Sequence, residues 1–190
     1  MHHGNLDQNR PNRIKRGVFI LEKYLIAYYS WVGSTEVVAK YIAEKTNIPI
    51  VRIEEVKKRP LGSMMSAAMG AFFGTSTKLK PIDLEMEGVQ TLILCAQVWA
   101  GKTAPAINTY LKKASFRGKQ VWVVMTMGDD TPPLKTIESI AIRIAKKGGT
   151  VKGHFGIQTH WDPKTNVPIT REEIEGVVDN WLLNEGFLKQ

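Results

Sequence analysis

The sequence predicts a doubly wound α/β sandwich: a five-stranded parallel sheet between two layers of helices. Three observations lead there. Short, nearly continuous apolar runs alternate along the chain with segments of helical period. Such runs suit strands covered on both faces, as in a parallel sheet. Parallel neighbours need long crossovers, and right-handed crossovers place helices on both faces. The 190 residues, 43% hydrophobic and 23% charged, are enough for one domain with a full core. This pattern leaves two strand orders open, and in both of them ligands bind beyond the carboxyl ends of the strands.

Tyr24-Leu25-Ile26-Ala27-Tyr28-Tyr29 is the first strand, and Val37, Val38, Tyr41 and Ile42 mark the helix after it. Pro49 to Ile53 is the second strand and Thr91 to Ala96 the third. A helix with Ile107, Tyr110, Leu111 and Ala114 on one face follows. Gln120 to Met125 is the fourth strand. The next helix carries Ile137, Ile140, Ala141, Ile144 and Ala145, and Gly148-Gly149 supplies its left-handed stop. Val151 to Ile157 is a weaker fifth strand. Thr170 and Glu173 form a capping-box pair for a last helix with the stripe Ile174, Val177, Val178, Trp181 and Leu182. The methionine-rich run Met64 to Phe73 reads as a buried crossover helix, with an adaptable contact surface as the second reading.

Composition narrows the function. One cysteine, Cys95, excludes an internal disulfide framework and a multi-cysteine zinc site. No apolar run reaches the roughly 20 residues that span a bilayer, and no clean cleavage site follows Val18 to Leu21, so a cytoplasmic location is expected. Residues 1–23 form a polar extension expected to be disordered, and residues 24–188 the folded domain. The extension holds five basic and two acidic residues, so most of the formal charge of +8 lies on the folded part. The basic residues are scattered and no nucleic-acid recognition motif stands out. His154 and His160 flank the end of the fifth strand and receive no catalytic role.

The loop after the first strand has the chemistry of an anion cradle. It reads Ser30-Trp31-Val32-Gly33-Ser34-Thr35. Gly33 permits a tight turn, and Ser30, Ser34 and Thr35 offer hydroxyls. The helix beginning near Ser34 turns unpaired N–H groups and a positive dipole end toward the same space. A plain capped helix needs only Ser34 or Thr35, and on local grounds the two readings stand level.

The run YLIAYYSWVGSTEVVAKYIAE resembles the opening of the flavodoxin family. Ser30, Gly33 and Thr35 match its pattern; Val32 stands where a hydroxyl residue is usual, at a cost of about 1 kcal/mol in one phosphate hydrogen bond. The third-strand segment is similar too: Val98, Trp99, Gly101 and Pro105 match, while Gln97 replaces a proline. The resemblance implies the strand order 2-1-3-4-5 and an FMN cofactor. It implies that Trp99 lies against the flavin ring, with Gln97, Val98, Ala100 and Gly101 around it. The loop Thr126-Met127-Gly128-Asp129-Asp130 would cover the ring's pyrimidine edge; Thr126 and Gly128 fit the family habit and the two aspartates depart from it. Those carboxylates either make a reduced ring costlier or point to water and cap the helix near Pro132.

A rival occupies the same residues. Ala96 to Thr103 is one substitution from a P-loop, but Val98 and Trp99 are bulky for a nucleotide cradle, and no aspartate closes the fourth strand. The leading expectation is an FMN-binding redox protein. It is either an electron carrier with a redox partner protein or an oxidoreductase using NAD(P)H and a small acceptor; a homodimer is left open. The basic charge departs from the acidic habit of carrier flavodoxins. A flavodoxin-fold module that has lost FMN and binds partners is the alternative, motivated by Val32, Gln97, Asp129 and Asp130.

Overall fold

The computed structural model describes residues 23–57, 76–99, 101–131, 133–160 and 167–189. Its strands are β1 (Tyr24–Tyr28), β2 (Ile50–Arg52), β3 (Thr91–Trp99), β4 (Lys102–Thr103), β5 (Gln120–Met127) and β6 (Thr150–Gln158). Its helices are α1 (Ser34–Thr46), α2 (Pro105–Lys113), α3 (Leu134–Ala145) and α4 (Arg171–Asn184). Five strands pair in parallel in the order β2-β1-β3-β5-β6, and the two-residue β4 hangs antiparallel from β3. With β4 set aside, this is the expected 2-1-3-4-5 order. The predicted extension up to residue 22, the methionine-rich run and Ala100 lie outside the described residues.

Side chains alternate across the sheet, as a pleated strand requires. Ala27, Leu92, Leu94, Ala96, Val121, Val123 and Met125 join a core with Ile107, Tyr110 and Leu111 of α2 and Ile137, Ile140 and Ile144 of α3. Ile26, Tyr28, Ile93, Cys95 and Val124 face the other way, onto Val38, Ala39 and Ile42 of α1 and Ile174, Val178 and Leu182 of α4. Burial pushes the Cys95 thiol well above its ordinary pKa, so it behaves as a small apolar side chain.

The helix boundaries have local causes. Asn47, at φ 55°, ends α1 in the left-handed region. Pro105 opens α2, where its missing N–H costs nothing. After α3 the N–H of Gly149 donates to the Ile144 carbonyl and that of Gly148 to the Ala145 carbonyl. Gly148 sits at φ 78°, which completes a Schellman stop. Thr170 and Glu173 form the capping box at the start of α4.

Two stripes are narrower than expected. Val177 is 51% exposed, since α4 faces inward along Ile174, Val178, Trp181 and Leu182 and Val177 lies to the side of that line. Ala145 is exposed at the end of α3. Beside α4, the rings of Phe155 and Trp181 stack at 5.1 Å. Trp122 meets Trp181 and Phe187 edge-on. Gly153 faces the Trp122 ring, where a Cβ would fall 2.2 Å from a ring carbon.

Candidate functional site

The connections reverse direction between β1 and β3: the chain goes from β1 outward to β2, and from β3 toward β5 and β6. Such a switch point opens a crevice at the carboxyl ends of the two central strands. The loop 29–33 leaves β1 there, and β3 runs past it to Trp99.

The loop is held by its own residues. Ser30 is buried, and its Oγ accepts the Gly33 N–H at 3.1 Å. Trp31 donates its backbone N–H to Gln97 Oε1 at 2.8 Å, tying the loop to β3. Thr35 Oγ1 and Thr126 Oγ1 share a buried 2.7 Å hydrogen bond, tying the first turn of α1 to the end of β5. Ser34 Oγ accepts the Ile169 N–H at 3.2 Å. Every hydroxyl expected to serve an anion is therefore engaged inside the protein. Ser30 and Ser34 act as acceptors, which leaves their O–H protons free to donate. No side chain caps α1, whose N-cap is Gly33, so its opening N–H groups keep their pull on an anion. Glu36, in that first turn, is neutralised by Lys40 at 2.7 Å and by Arg52 at 2.9 Å. Arg52 also reaches the Ser30 carbonyl at 3.4 Å.

Gly33 holds φ 121°, a conformation that L side chains rarely adopt, and a Cβ there would meet Pro168 Cγ at 2.8 Å. The glycine thus serves the turn and the seat of Pro168, as well as any approach of a ligand. Val32 is half-buried in the same loop.

The segment after the third strand departs from expectation. Gln97, Val98 and Trp99 belong to β3 itself, and the chain turns back through Gly101, at φ 69°, into β4. Trp99 pairs with Lys102 and Val98 with Thr103. Thr136 of α3 donates its hydroxyl proton to the Gly101 carbonyl. This hairpin removes the P-loop reading, because that motif runs from strand to helix through an open loop of backbone N–H groups. Moreover, Thr103, in the position of the motif's metal-binding hydroxyl, is buried and bonded to Asn108 Oδ1 at 2.6 Å.

Three aromatic rings gather at the head of β1 and β3. Trp31 and Trp99 meet edge-on with centroids 5.3 Å apart, and Tyr29 meets Trp99 at 6.2 Å. Tyr29 is fixed in turn by donating its hydroxyl to the buried Glu55 at 2.7 Å. Both tryptophans are half-buried and pack against the core beneath them.

At the end of β5, Thr126 and Met127 are buried while Gly128, Asp129 and Asp130 are exposed. The Gly128 carbonyl accepts a long 3.4 Å contact from Gln158 Nε2, and the Met127 carbonyl accepts the Thr159 N–H at 2.7 Å. The aspartates do not cap α3: its N-cap is Pro133 without a side-chain bond, and Asp130 accepts from Thr131 instead. His154 is exposed on β6, and His160 contacts Glu173 at the start of α4.

The structure thus brings together Ser30, Trp31, Gly33, Ser34, Thr35, Gln97, Trp99 and Thr126. Sequence reading missed Tyr29, Arg52, Pro168 and Ile169 as supports. The last two come from the approach to α4 and carry no local signal of their role. Gln97 Nε2 is also notable: it is buried and has no hydrogen-bond partner among the described residues. Among the described residues, no group of three or more His, Cys, Asp or Glu side chains could hold a metal ion. No described helix is long and apolar enough to cross a membrane.

No protein-family model and no curated protein matches the sequence. Solved structures do. A candidate flavoprotein of Bacteroides uniformis aligns over 84% of this chain and 97% of its own, with a TM-score of 0.66 and 18% identity. A flavoprotein of Lactobacillus acidophilus, solved in complex with FMN, aligns over 70% of this chain and 92% of its own at 22% identity, with a TM-score of 0.55. Oxidised flavodoxin 1 of Bacillus cereus covers 87% and 99% at 14% identity, with a TM-score of 0.52. The strand order, the helices on both faces and these likenesses agree that the chain has the flavodoxin-like fold.

Proposed function

We propose that the protein binds FMN at the head of β1 and β3 and handles electrons through it. The observation that carries this reading is the pairing of Trp31 with Trp99 at 5.3 Å beside the uncapped start of α1. Aromatic surface and an anion-attracting helix end within one crevice suit a ligand with a flat ring and a phosphate tail. The residues fit such a group in two further respects. Gln97 Nε2 is a buried donor awaiting an acceptor. Glu36 is neutralised by Lys40 and Arg52, so it does not oppose an anion at its own helix end.

In this reading the N–H groups opening α1 and the hydroxyls of Ser30 and Ser34 hold the phosphate. Trp99 and Trp31 bound the ring and exclude water from it. The Met127–Asp129 backbone faces its polar edge, and Val98 and Gly101 hold Trp99 in its hairpin. Bound FMN would supply the one- or two-electron chemistry, while the protein sets access and potential. Lys102, exposed beside Trp99 on the hairpin, would keep positive charge near the ring. The folded domain spans residues 24–188, and the electron source is either NAD(P)H or a partner protein. With a formal charge of +8, a protein partner should present an acidic face, and its association should slow as salt rises.

The test is the visible spectrum of the purified protein, then titration with FMN followed by quenching of flavin fluorescence. A yellow protein, or saturable quenching, supports the reading. A colourless protein that leaves FMN fluorescence unchanged overturns it and leaves a flavodoxin-fold binding module. Anaerobic mixing of the loaded protein with NADH or NADPH then separates the oxidoreductase from the carrier: bleaching of the flavin band marks the oxidoreductase.

A further inference from the structure

We infer that Gln97 is a ligand-binding residue, its side-chain nitrogen donating a hydrogen bond to an oxygen acceptor of the bound FMN. The inference rests on the proposed site and adds to it a donor that this chain carries at the head of β3.

Gln97 is 7% exposed, and its two amide ends have different fates. Oε1 accepts the Trp31 N–H at 2.8 Å, and because a backbone N–H can only donate, this bond fixes which end of the amide is oxygen. Nε2 is left buried with no partner among the described residues. A buried donor without an acceptor is costly, and such groups in folded proteins mark places where something else completes the bond.

Its surroundings say where that acceptor would come from. Gln97 pairs across the sheet with Thr126, whose hydroxyl is bonded to Thr35 in the first turn of α1. Trp31, bonded to the same amide, belongs to the loop that opens α1. The amide therefore lies between the loop after β1, the start of α1 and the end of β5. The neighbouring hydroxyls are already engaged: Thr126 with Thr35, Ser30 with the Gly33 N–H and Ser34 with the Ile169 N–H. A ligand seated in the loop would supply the acceptor that Nε2 lacks. Because Oε1 carries the loop and Nε2 the ligand, one side chain would couple ligand binding to the position of Trp31.

Two variants separate donor from acceptor. Gln97→Met keeps the length and removes both ends. Gln97→Glu keeps an oxygen for the Trp31 N–H, loses the donor when ionised and regains an O–H donor when protonated. FMN affinity is measured by fluorescence quenching on wild-type and variant proteins, with near-ultraviolet circular dichroism checking that each has folded. Gln97→Met should bind FMN about 5- to 100-fold more weakly. Gln97→Glu should bind weakly at pH 8 and recover affinity as the pH is lowered toward 5, with a flatter wild-type profile. A third readout is the Gln97 side-chain amide resonance in 15N-labelled wild-type protein, assigned by its disappearance in Gln97→Met. It should shift on saturation with FMN.

Wild-type affinity in Gln97→Met, or in Gln97→Glu at pH 8, overturns the inference while leaving the site standing. An amide resonance unmoved by saturating FMN does the same. Failure of the wild-type protein itself to bind FMN removes the site, and this donor with it.

Discussion

Trp99 is where a single side chain carries most of the proposed chemistry. It meets Trp31 edge-on at 5.3 Å and Tyr29 at 6.2 Å, and Tyr29 is anchored on Glu55. Aromatic contacts add about 0.5–1.5 kcal/mol beyond area. Trp99→Ala should therefore weaken FMN binding about tenfold and shift its midpoint potential; an unchanged affinity and potential would exclude ring contact. Gly33 behaves differently. Its φ of 121° and the 2.8 Å approach of Pro168 mean that valine there strains the backbone and displaces the segment before α4. Gly33→Val should lose about 1–3 kcal/mol in urea unfolding even without FMN. A variant that loses FMN at full stability would show instead that the glycine serves ligand approach alone.

At the scale of elements, the site depends on how α1 is seated on the sheet. The bond between Thr35 and Thr126 is the seat's polar contact, buried within an apolar layer. Thr35→Val leaves a buried hydroxyl alone and should cost about 1–3 kcal/mol; adding Thr126→Val should return much of that, because both polar groups are then gone. Additive losses in the double mutant would show that the two hydroxyls act independently. The hairpin of β3 and β4 is the element that sequence reading overlooked. Gln97 to Trp99 were expected in a loop, yet they continue the strand, because Gly101 permits a tight reversal and β4 supplies pairing for its end. A partner strand of two residues is too short to leave a periodic signal.

For the whole molecule, α4 contributes to how stability falls in acid. The capping box and the backbone hold the carboxyl of Glu173 below the usual range, the local backbone does the same for Glu172, and Lys45 does so for Asp179. Depressed carboxyl values mean stability that is complete above the unfolded value of about 4. It is lost as the pH falls through the lower folded values. Lys45 is raised by the same partner, so its share holds below about pH 10 and is lost as the pH rises beyond. The melting temperature should thus be level across neutral pH, and these solvent-screened groups should add a modest fall below about pH 4. Asp179→Asn should make that fall shallower, and an identical acid limb in the variant would exclude the pair as a contributor.

Much of this architecture was legible in the residues. The runs at 24–29, 91–96 and 120–125 announced buried strands because both faces of a parallel sheet must be apolar. Thr170 with Glu173, and Gly148 with Gly149, announced helix ends because orphaned backbone groups need particular partners. The loop Ser30–Thr35 suggested an anion site through its glycine and hydroxyls, and that site is a proposal. What the residues could not announce was where those hydroxyls point. Ser34 turns to Ile169 and Thr35 to Thr126, partners 135 and 91 positions away. Likewise, nothing local told that Gln97 would hold Trp31 with one end and leave the other without a partner among the described residues. Local propensity and apolar period depend on near neighbours and so survive in the sequence. The direction of a polar side chain depends on which distant segments the fold brings beside it, and only the assembled molecule decides that.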